Sequence, residues 1–210
     1  MAKWKKIERI GVENFPLCLE DSDSCYFARD YISRGGYGAS ETNDLINNYK
    51  KPSDRKGRPE WRYKEQAIKT FAKELAFISN IEIFFVTCVP SSKARTSPDY
   101  DSRLEDTIQC LKELKSGVTI GFPFSFRTDM LPAHSGGSRN VDELYANLVW
   151  SGIPDGIKDI IIVDDVITTG AHYKACKKLI LEHLPNANVH GLFWARTVWP
   201  EEDFSCFPSF

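Results

Sequence analysis

Long uninterrupted apolar runs, closely paired cysteines and an excess of charge of either sign are all missing from this chain. Without an apolar run that could cross a bilayer, and with no signal peptide in view, the expectation is a soluble, cytoplasmic protein with reduced thiols. Its six cysteines, Cys18, Cys25, Cys88, Cys110, Cys176 and Cys206, lack the short Cys-x-x-Cys spacing of metal ribbons and redox motifs, which argues against both. Cys176, in a helical stretch, and Cys88, at a strand end, then read as small hydrophobes. Lys and Arg total 27 against 29 Asp and Glu, a formal net charge of −2, so no global field draws nucleic acid to the surface.

What the chain does have is enough apolar sequence to bury one good core: 210 residues, 42% of them hydrophobic. Its most informative stretch is IIIVDDVITTG, Ile160–Gly170. Four β-branched residues in a row predict a strand buried on both faces, as in a parallel sheet. Asp164 and Asp165 then arrive at its carboxyl end. Thr168, Thr169 and Gly170 make a small polar turn, and Ala171–Leu184 continues with apolar residues at helical spacing. Backbone N–H groups of such a turn, together with the first N–H groups and the dipole of a helix, favour a phosphate. The two threonines add hydroxyl donors, and glycine permits close backbone approach. Carboxylates accept hydrogen bonds and suit the vicinal hydroxyls of a ribose. In this order the elements predict a site for a ribose 5-phosphate. Taken singly, each has a plainer reading: Asp-Asp as a helix cap or a divalent-cation ligand, Thr-Thr-Gly as a turn.

These residues resemble the type I phosphoribosyltransferase family, whose signature is a hydrophobic strand followed by Asp-Asp, two apolar residues and Thr-Thr-Gly. The match runs from Ile160 through Gly170 and departs at His172, where the family often carries Thr or Ser. Looser correspondences resemble the ComF-like branch: Leu45-Ile46 with Lys50, Val89-Pro90-Ser91-Ser92, Arg139-Asn140 and Ala195-Arg196, covering residues 40 to 197. The N-terminal zinc ribbon of the best-known ComF-like proteins has no counterpart here.

The resemblance implies a doubly wound, mostly parallel α/β sheet of the type I phosphoribosyltransferase kind with a small N-terminal hood. It implies an enzyme that binds 5-phosphoribosyl-1-pyrophosphate with Mg²⁺ and transfers phosphoribose to a nitrogen base, releasing pyrophosphate. Asp164 and Asp165 would be the catalytic pair and influence the metal, partly through water. Val166, Ile167, Thr168, Thr169, Gly170 and Ala171 would bind the 5-phosphate. Ser91, Ser92, Lys93 and Arg95, in the loop after a core strand, would meet pyrophosphate, with Arg127 and Arg139 as further candidates because guanidinium forks match phosphate oxygens. Ordinary surface loops and arginines remain the plain alternative for all six.

Along the chain, residues 1–60 are polar and rich in turn formers, among them Gly35, Gly36, Gly38 and Pro52, and read as a hood rather than core. The phosphoribosyltransferase-like core is expected over 61–197 and a tail over 198–210. Trp61–Ile78 predicts an amphipathic helix and Ile81–Val89 the first core strand. Ser102–Leu114 reads as a helix and Val118–Phe122 as a short strand. Pro123–Arg139, with Arg127, His134, Gly136 and Gly137, reads as a mobile lid. Phe124 and Phe126 are either base-stacking residues or core, and His172 either donates to phosphate or covers the helix. Asn188–Arg196 is the final strand. Trp199, Phe204, Phe207 and Phe210 must pack somewhere, on the cap or in a homodimer.

The acceptor base is not legible, which keeps a second class open: a non-catalytic protein that senses 5-phosphoribosyl-1-pyrophosphate or a nucleotide. A third is a DNA-handling accessory protein using the basic segment Asn48–Lys64, where Trp61 and Tyr63 sit among lysines and arginines. That segment reads more simply as a solvated loop leading into a helix.

Overall fold

The computed structural model describes residues 3–8, 18–130 and 140–199. Its main sheet has six strands in the order β1-β2-β8-β7-β3-β4. These are β1 (Lys5–Lys6), β2 (Ser24–Ile32), β3 (Phe85–Cys88), β4 (Thr119–Ile120), β7 (Asp159–Ile167) and β8 (Asn188–Val198). Every pairing is parallel except that of the short edge strand β1 with β2. A separate antiparallel ribbon pairs β5 (Phe124–Phe126) with β6 (Leu148–Trp150). Among the described residues five α-helices complete the fold: α1 (Glu41–Tyr49), α2 (Trp61–Ala76), α3 (Arg103–Leu114), α4 (Val141–Asn147) and α5 (Ala171–His183). The chain is therefore mixed α/β with a mostly parallel sheet.

Alternation along the central strands sorts the helices to two faces. In β8, Trp194 stacks on Phe71 of α2, with ring centroids 4.6 Å apart, and meets Tyr49 of α1 edge-on at 5.4 Å. Phe193, one residue earlier and so on the other face, meets Tyr173 of α5 at 5.9 Å. Helices α1, α2 and α3 pack together on the first face, and α4 packs with α5 on the second. Because both faces are covered, Ile160–Val163 of β7 are all at most 3% exposed, as a run of β-branched residues requires.

The amino-terminal third differs from the hood expected over residues 1–60. β2 lies inside the main sheet, in register with β8 from Ser24↔His190 to Ile32↔Val198. Its charged residues are satisfied by tertiary partners: the Arg29 guanidinium grips Glu74 of α2, and Asp30 accepts from Arg196 at 3.0 Å. Helix α1 is held to the end of β2 by the fully buried Asn43. Its amide donates to the Ile32 carbonyl at 2.9 Å and accepts from the Ile32 N–H at 3.0 Å. Such two-way pairing removes the cost of burying an amide.

Smaller differences have local causes. The strand expected over Ile81–Val89 begins only at Phe85, because Asn80 adopts a left-handed backbone and Ile81–Ile83 form a 3₁₀ turn with Ile81 buried and Ile83 exposed. The segment expected as a lid from Pro123 to Arg139 starts as β5, with Phe124 and Phe126 buried. Those two rings are core and unavailable to stack on a base. The expected helices match α2 and α3 closely, and the final strand runs two residues further, to Val198. Among the described residues no helix is long and apolar enough to cross a membrane. His134, Arg139, Cys206, Phe204, Phe207 and Phe210 lie outside the described residues.

Candidate functional site

In an open parallel sheet, ligands collect where neighbouring strands send their following helices to opposite faces. Here that point falls between β3 and β7. β3 continues through α3 on one face to β4, while β7 continues through α5 on the other face to β8. The two strands are hydrogen-bonded neighbours with Cys88 opposite Val163, and the Val89 N–H donates to the Val163 carbonyl at 3.1 Å. Beyond that ladder Pro90–Arg95 leaves the sheet, while β7 runs on through Asp164–Ile167 alongside β8 before its Thr168–Gly170 turn. The two stretches singled out in the sequence flank one crevice.

At the acidic pair, strand alternation sends the two side chains to different surroundings. Asp165, 4% exposed, faces α1 and α3. Its Oδ2 accepts from Arg103 Nε at 3.0 Å and Nη2 at 2.8 Å, and Lys50 Nζ lies 3.1 Å from Oδ1. Arg103 also donates to Asp101 at 2.7 Å. Asp101 in turn accepts at 2.7 Å from Lys64, a lysine only 2% exposed, which donates to the Lys51 carbonyl at 2.6 Å. Burial alone would push Asp165 up, but the charges of Lys50 and Arg103 and their hydrogen bonds outweigh it and hold the carboxyl down at about 2. Asp164, partly exposed, has no such cation. Burial first, and then the neighbouring charge of Asp165, raise it to about 7, although its Oδ1 accepts the Asp165 N–H at 2.7 Å. Lys50 and Arg103 thus favour the anion at Asp165, and burial together with that anion disfavours a second charge at Asp164.

The Thr168–Gly170 turn leads directly into α5. Gly170 caps α5 in a left-handed conformation (φ 81°) and contributes no capping side chain. The backbone angle is what calls for glycine; a Cβ there would sit 3.0 Å from Leu19 Cδ2 and press on the end of that side chain. The first N–H groups of α5 have no partners within the helix and face the crevice end of the sheet. Thr169 Oγ1 lies 3.4 Å from the Ala171 N–H, and the Thr169 carbonyl accepts from the Cys18 N–H at 2.8 Å. Thr168 Oγ1 shares a hydrogen bond of 2.7 Å with Thr197 on β8. Val166 and Ile167 belong to the strand, and Ile167 and Ala171 are buried. Ile167 and Ala171 can therefore offer a ligand only their backbones.

His172 covers the helix start. Its ring meets Phe126 edge-on at 6.4 Å, and burial, ahead of the nearby charges, lowers its affinity for a proton. Cys88 and Cys176 are buried, and burial pushes both thiols well up, as packed hydrophobes rather than nucleophiles.

On the other side of the crevice, the Pro90–Arg95 loop is tied to the segment after β5. Asp129 accepts from the Ala94 N–H at 2.8 Å and from Ser97 at 3.2 Å, and Lys93 Nζ lies 3.5 Å from it. The Ser92 carbonyl accepts from the Met130 N–H at 2.7 Å, and Ser91 Oγ from the Lys93 N–H at 3.3 Å. Arg95 is drawn away to Glu105 at 2.8 Å. Arg127 is exposed, its N–H donating to Asn147 at 3.0 Å.

Arg103 and Asp101 were not expected from sequence. An arginine opening a helix reads as surface, and only the strand-to-helix packing brings it under Asp165. Lys50 carried a correspondence but no role. No family model matches the chain, and no curated protein matches it.

Proposed function

We propose that this protein binds 5-phosphoribosyl-1-pyrophosphate in the crevice between β3 and β7 and transfers its phosphoribosyl group to a nitrogen base, as a type I phosphoribosyltransferase-like fold would. The carrying observation is the convergence of three chemistries at one switch point. An acidic pair near the end of β7, the Thr-Thr-Gly turn that opens α5 and a Ser-Ser-Lys loop after β3 all lie beyond the ladder shared by two adjacent parallel strands.

The geometry supports the following roles. The turn Thr168–Gly170 and the N–H groups opening α5 receive the 5-phosphate. Asp164 accepts from the ribose hydroxyls. Ser91, Ser92 and Lys93 face the diphosphate, which Arg95 reaches by leaving Glu105. The base nitrogen bonds to the anomeric carbon as the carbon–oxygen bond to diphosphate breaks, and the nitrogen's proton passes to solvent or to a nearby carboxylate. Positioning and charge neutralisation do the work, without a covalent enzyme intermediate.

Among the described residues no cluster of three or more His, Cys, Asp or Glu could hold a metal ion. Asp165 is already occupied by two cations. The residues therefore do not make a standing Mg²⁺ site. They fit an ion that arrives chelated by the diphosphate, with Asp164 meeting its water shell.

A non-catalytic sensor of the same ligand is the second reading. It is favoured by the prior commitment of Asp165 to Lys50 and Arg103 and of Arg95 to Glu105. Calorimetric titration with 5-phosphoribosyl-1-pyrophosphate, with and without Mg²⁺, tests both. Binding followed by pyrophosphate release with a nucleobase supports transfer; binding without release from any base supports sensing; no binding defeats both.

A further inference from the structure

Lys50 follows the last residue of α1, and its ammonium lies 3.1 Å from Asp165 Oδ1 with the side chain 39% exposed, against 5% for the carboxylate. Its charge also bears on Asp164 and on His172, the second residue of α5. It thus stands beside the acidic pair near the carboxyl end of β7, close enough to the start of α5 for its charge to be felt there. Asp165 does not rely on it alone. Arg103 holds Oδ2 through two nitrogens, and Asp101 anchors that guanidinium from behind. The network has a fixed side, a planar fork braced at both ends, and a movable side, a point charge on a four-carbon stem.

We propose that Lys50 is an anion-binding residue of the crevice, which leaves Asp165 for the diphosphate of an incoming phosphoribosyl ligand and so frees Asp165 Oδ1 to accept from a ribose hydroxyl. The inference rests on the ribose-phosphate reading above and adds a specificity rule to it. A ligand with a diol and no anion leaves Lys50 on Asp165. A bare anion takes Lys50 but leaves half the buried carboxylate without a partner, which is unfavourable. A ligand carrying both groups, correctly spaced, satisfies every charge. The site should therefore prefer 5-phosphoribosyl-1-pyrophosphate to ribose and to inorganic pyrophosphate.

The test is titration of the full chain and its Lys50→Met, Lys50→Gln and Lys50→Arg variants with ribose, inorganic pyrophosphate and 5-phosphoribosyl-1-pyrophosphate in Mg²⁺. Loss of one charged hydrogen-bond donor should weaken binding of 5-phosphoribosyl-1-pyrophosphate by about 10- to 100-fold in the Met and Gln variants. Lys50→Arg should retain most of it. Lys50→Gln keeps a donor for Asp165, and serves where Lys50→Met fails to fold. Wild-type binding that either neutral variant matches overturns the role of Lys50 and leaves the ribose-phosphate reading intact. A wild-type protein that binds neither anion overturns both.

Discussion

Adjacent aspartates in one strand have opposite chemistry here, and that difference can be measured. Asp165 is a buried anion between Lys50 and Arg103, so Asp165→Asn removes the partner of two cations. Breaking a buried pair costs about 3–5 kcal/mol, and because Lys50 can turn to solvent and Arg103 keeps Asp101, the loss should be near the lower figure by urea denaturation at pH 7. Asp164 behaves the other way. Its carboxyl is raised to about 7 by burial and by the charge of Asp165, so ionising it in the fold opposes stability. The contribution of Asp164 to stability should fall as pH rises from the ordinary carboxylate range toward 7 and then level off. Asp164→Asn should therefore gain relative to wild type between pH 5 and pH 8; an Asn variant whose relative stability is the same at both would show that Asp164 ionises normally. Gly170→Ala carries two penalties, a left-handed backbone and a Cβ 3.0 Å from Leu19. A loss of about 1–3 kcal/mol is expected in the same denaturation experiment. Gly170, Thr168, Thr169 and the acidic pair were legible because their chemistry is local, written in consecutive residues. Arg103 was not, since its partner lies 62 positions away.

Among the elements, the ones read correctly are those whose environment is uniform along their length. β7 is covered on both faces and shows it as an unbroken apolar run; α2 has one buried stripe with helical spacing. β2 escaped because Arg29, Asp30 and Tyr31 interrupt its pattern, and their partners, Glu74 and Arg196 among them, belong to other elements. The turn that leads into β2 has a further tie of this sort. Asp23, whose side chain is fully buried, accepts from Lys174 at 2.9 Å and Lys177 at 2.6 Å, both on α5. Burial pushes Asp23 up, but the Lys177 hydrogen bond, the Glu20 amide and Lys174 together hold it below its ordinary 3.8. A depressed carboxyl gives stability that is complete above the unfolded value and disappears as pH falls through the folded one. Asp23→Asn should thus cost about 1–3 kcal/mol at neutral pH, and the gap from wild type should narrow below pH 3.8. A gap that stays constant with pH would mean that Asp23 acts through packing and not charge. Since α5 also follows the Thr168–Gly170 turn proposed to hold phosphate, the same variant should weaken ligand binding only modestly, by loosening the helix rather than by removing a contact.

For the whole molecule, the sheet order places the crevice, and helices cover the sheet on both faces. β7 and β8 run side by side from Asp159↔Asn188 to Ile167↔Arg196 with both faces covered. The β5–β6 ribbon is a separate two-stranded piece held by side chains, Trp150 stacking on His183 at 5.2 Å and Phe126 touching His172. Native-state hydrogen exchange should accordingly find the slowest amides in β3, β7 and β8 and faster exchange in the ribbon. Ligand binding acts on this hierarchy as a linked equilibrium. At a hundred times its dissociation constant, a ligand that binds only the folded state stabilises it by about 2.7 kcal/mol. For a chain of this length that corresponds to a rise in melting temperature of about 5–10 °C. 5-Phosphoribosyl-1-pyrophosphate with Mg²⁺ should produce that rise, with added protection concentrated in Ser91–Lys93, Thr168–Gly170 and the first turn of α5. A rise with protection spread over the amino ends of the strands instead would place the ligand at the opposite edge of the sheet and remove the crevice between β3 and β7 as its site.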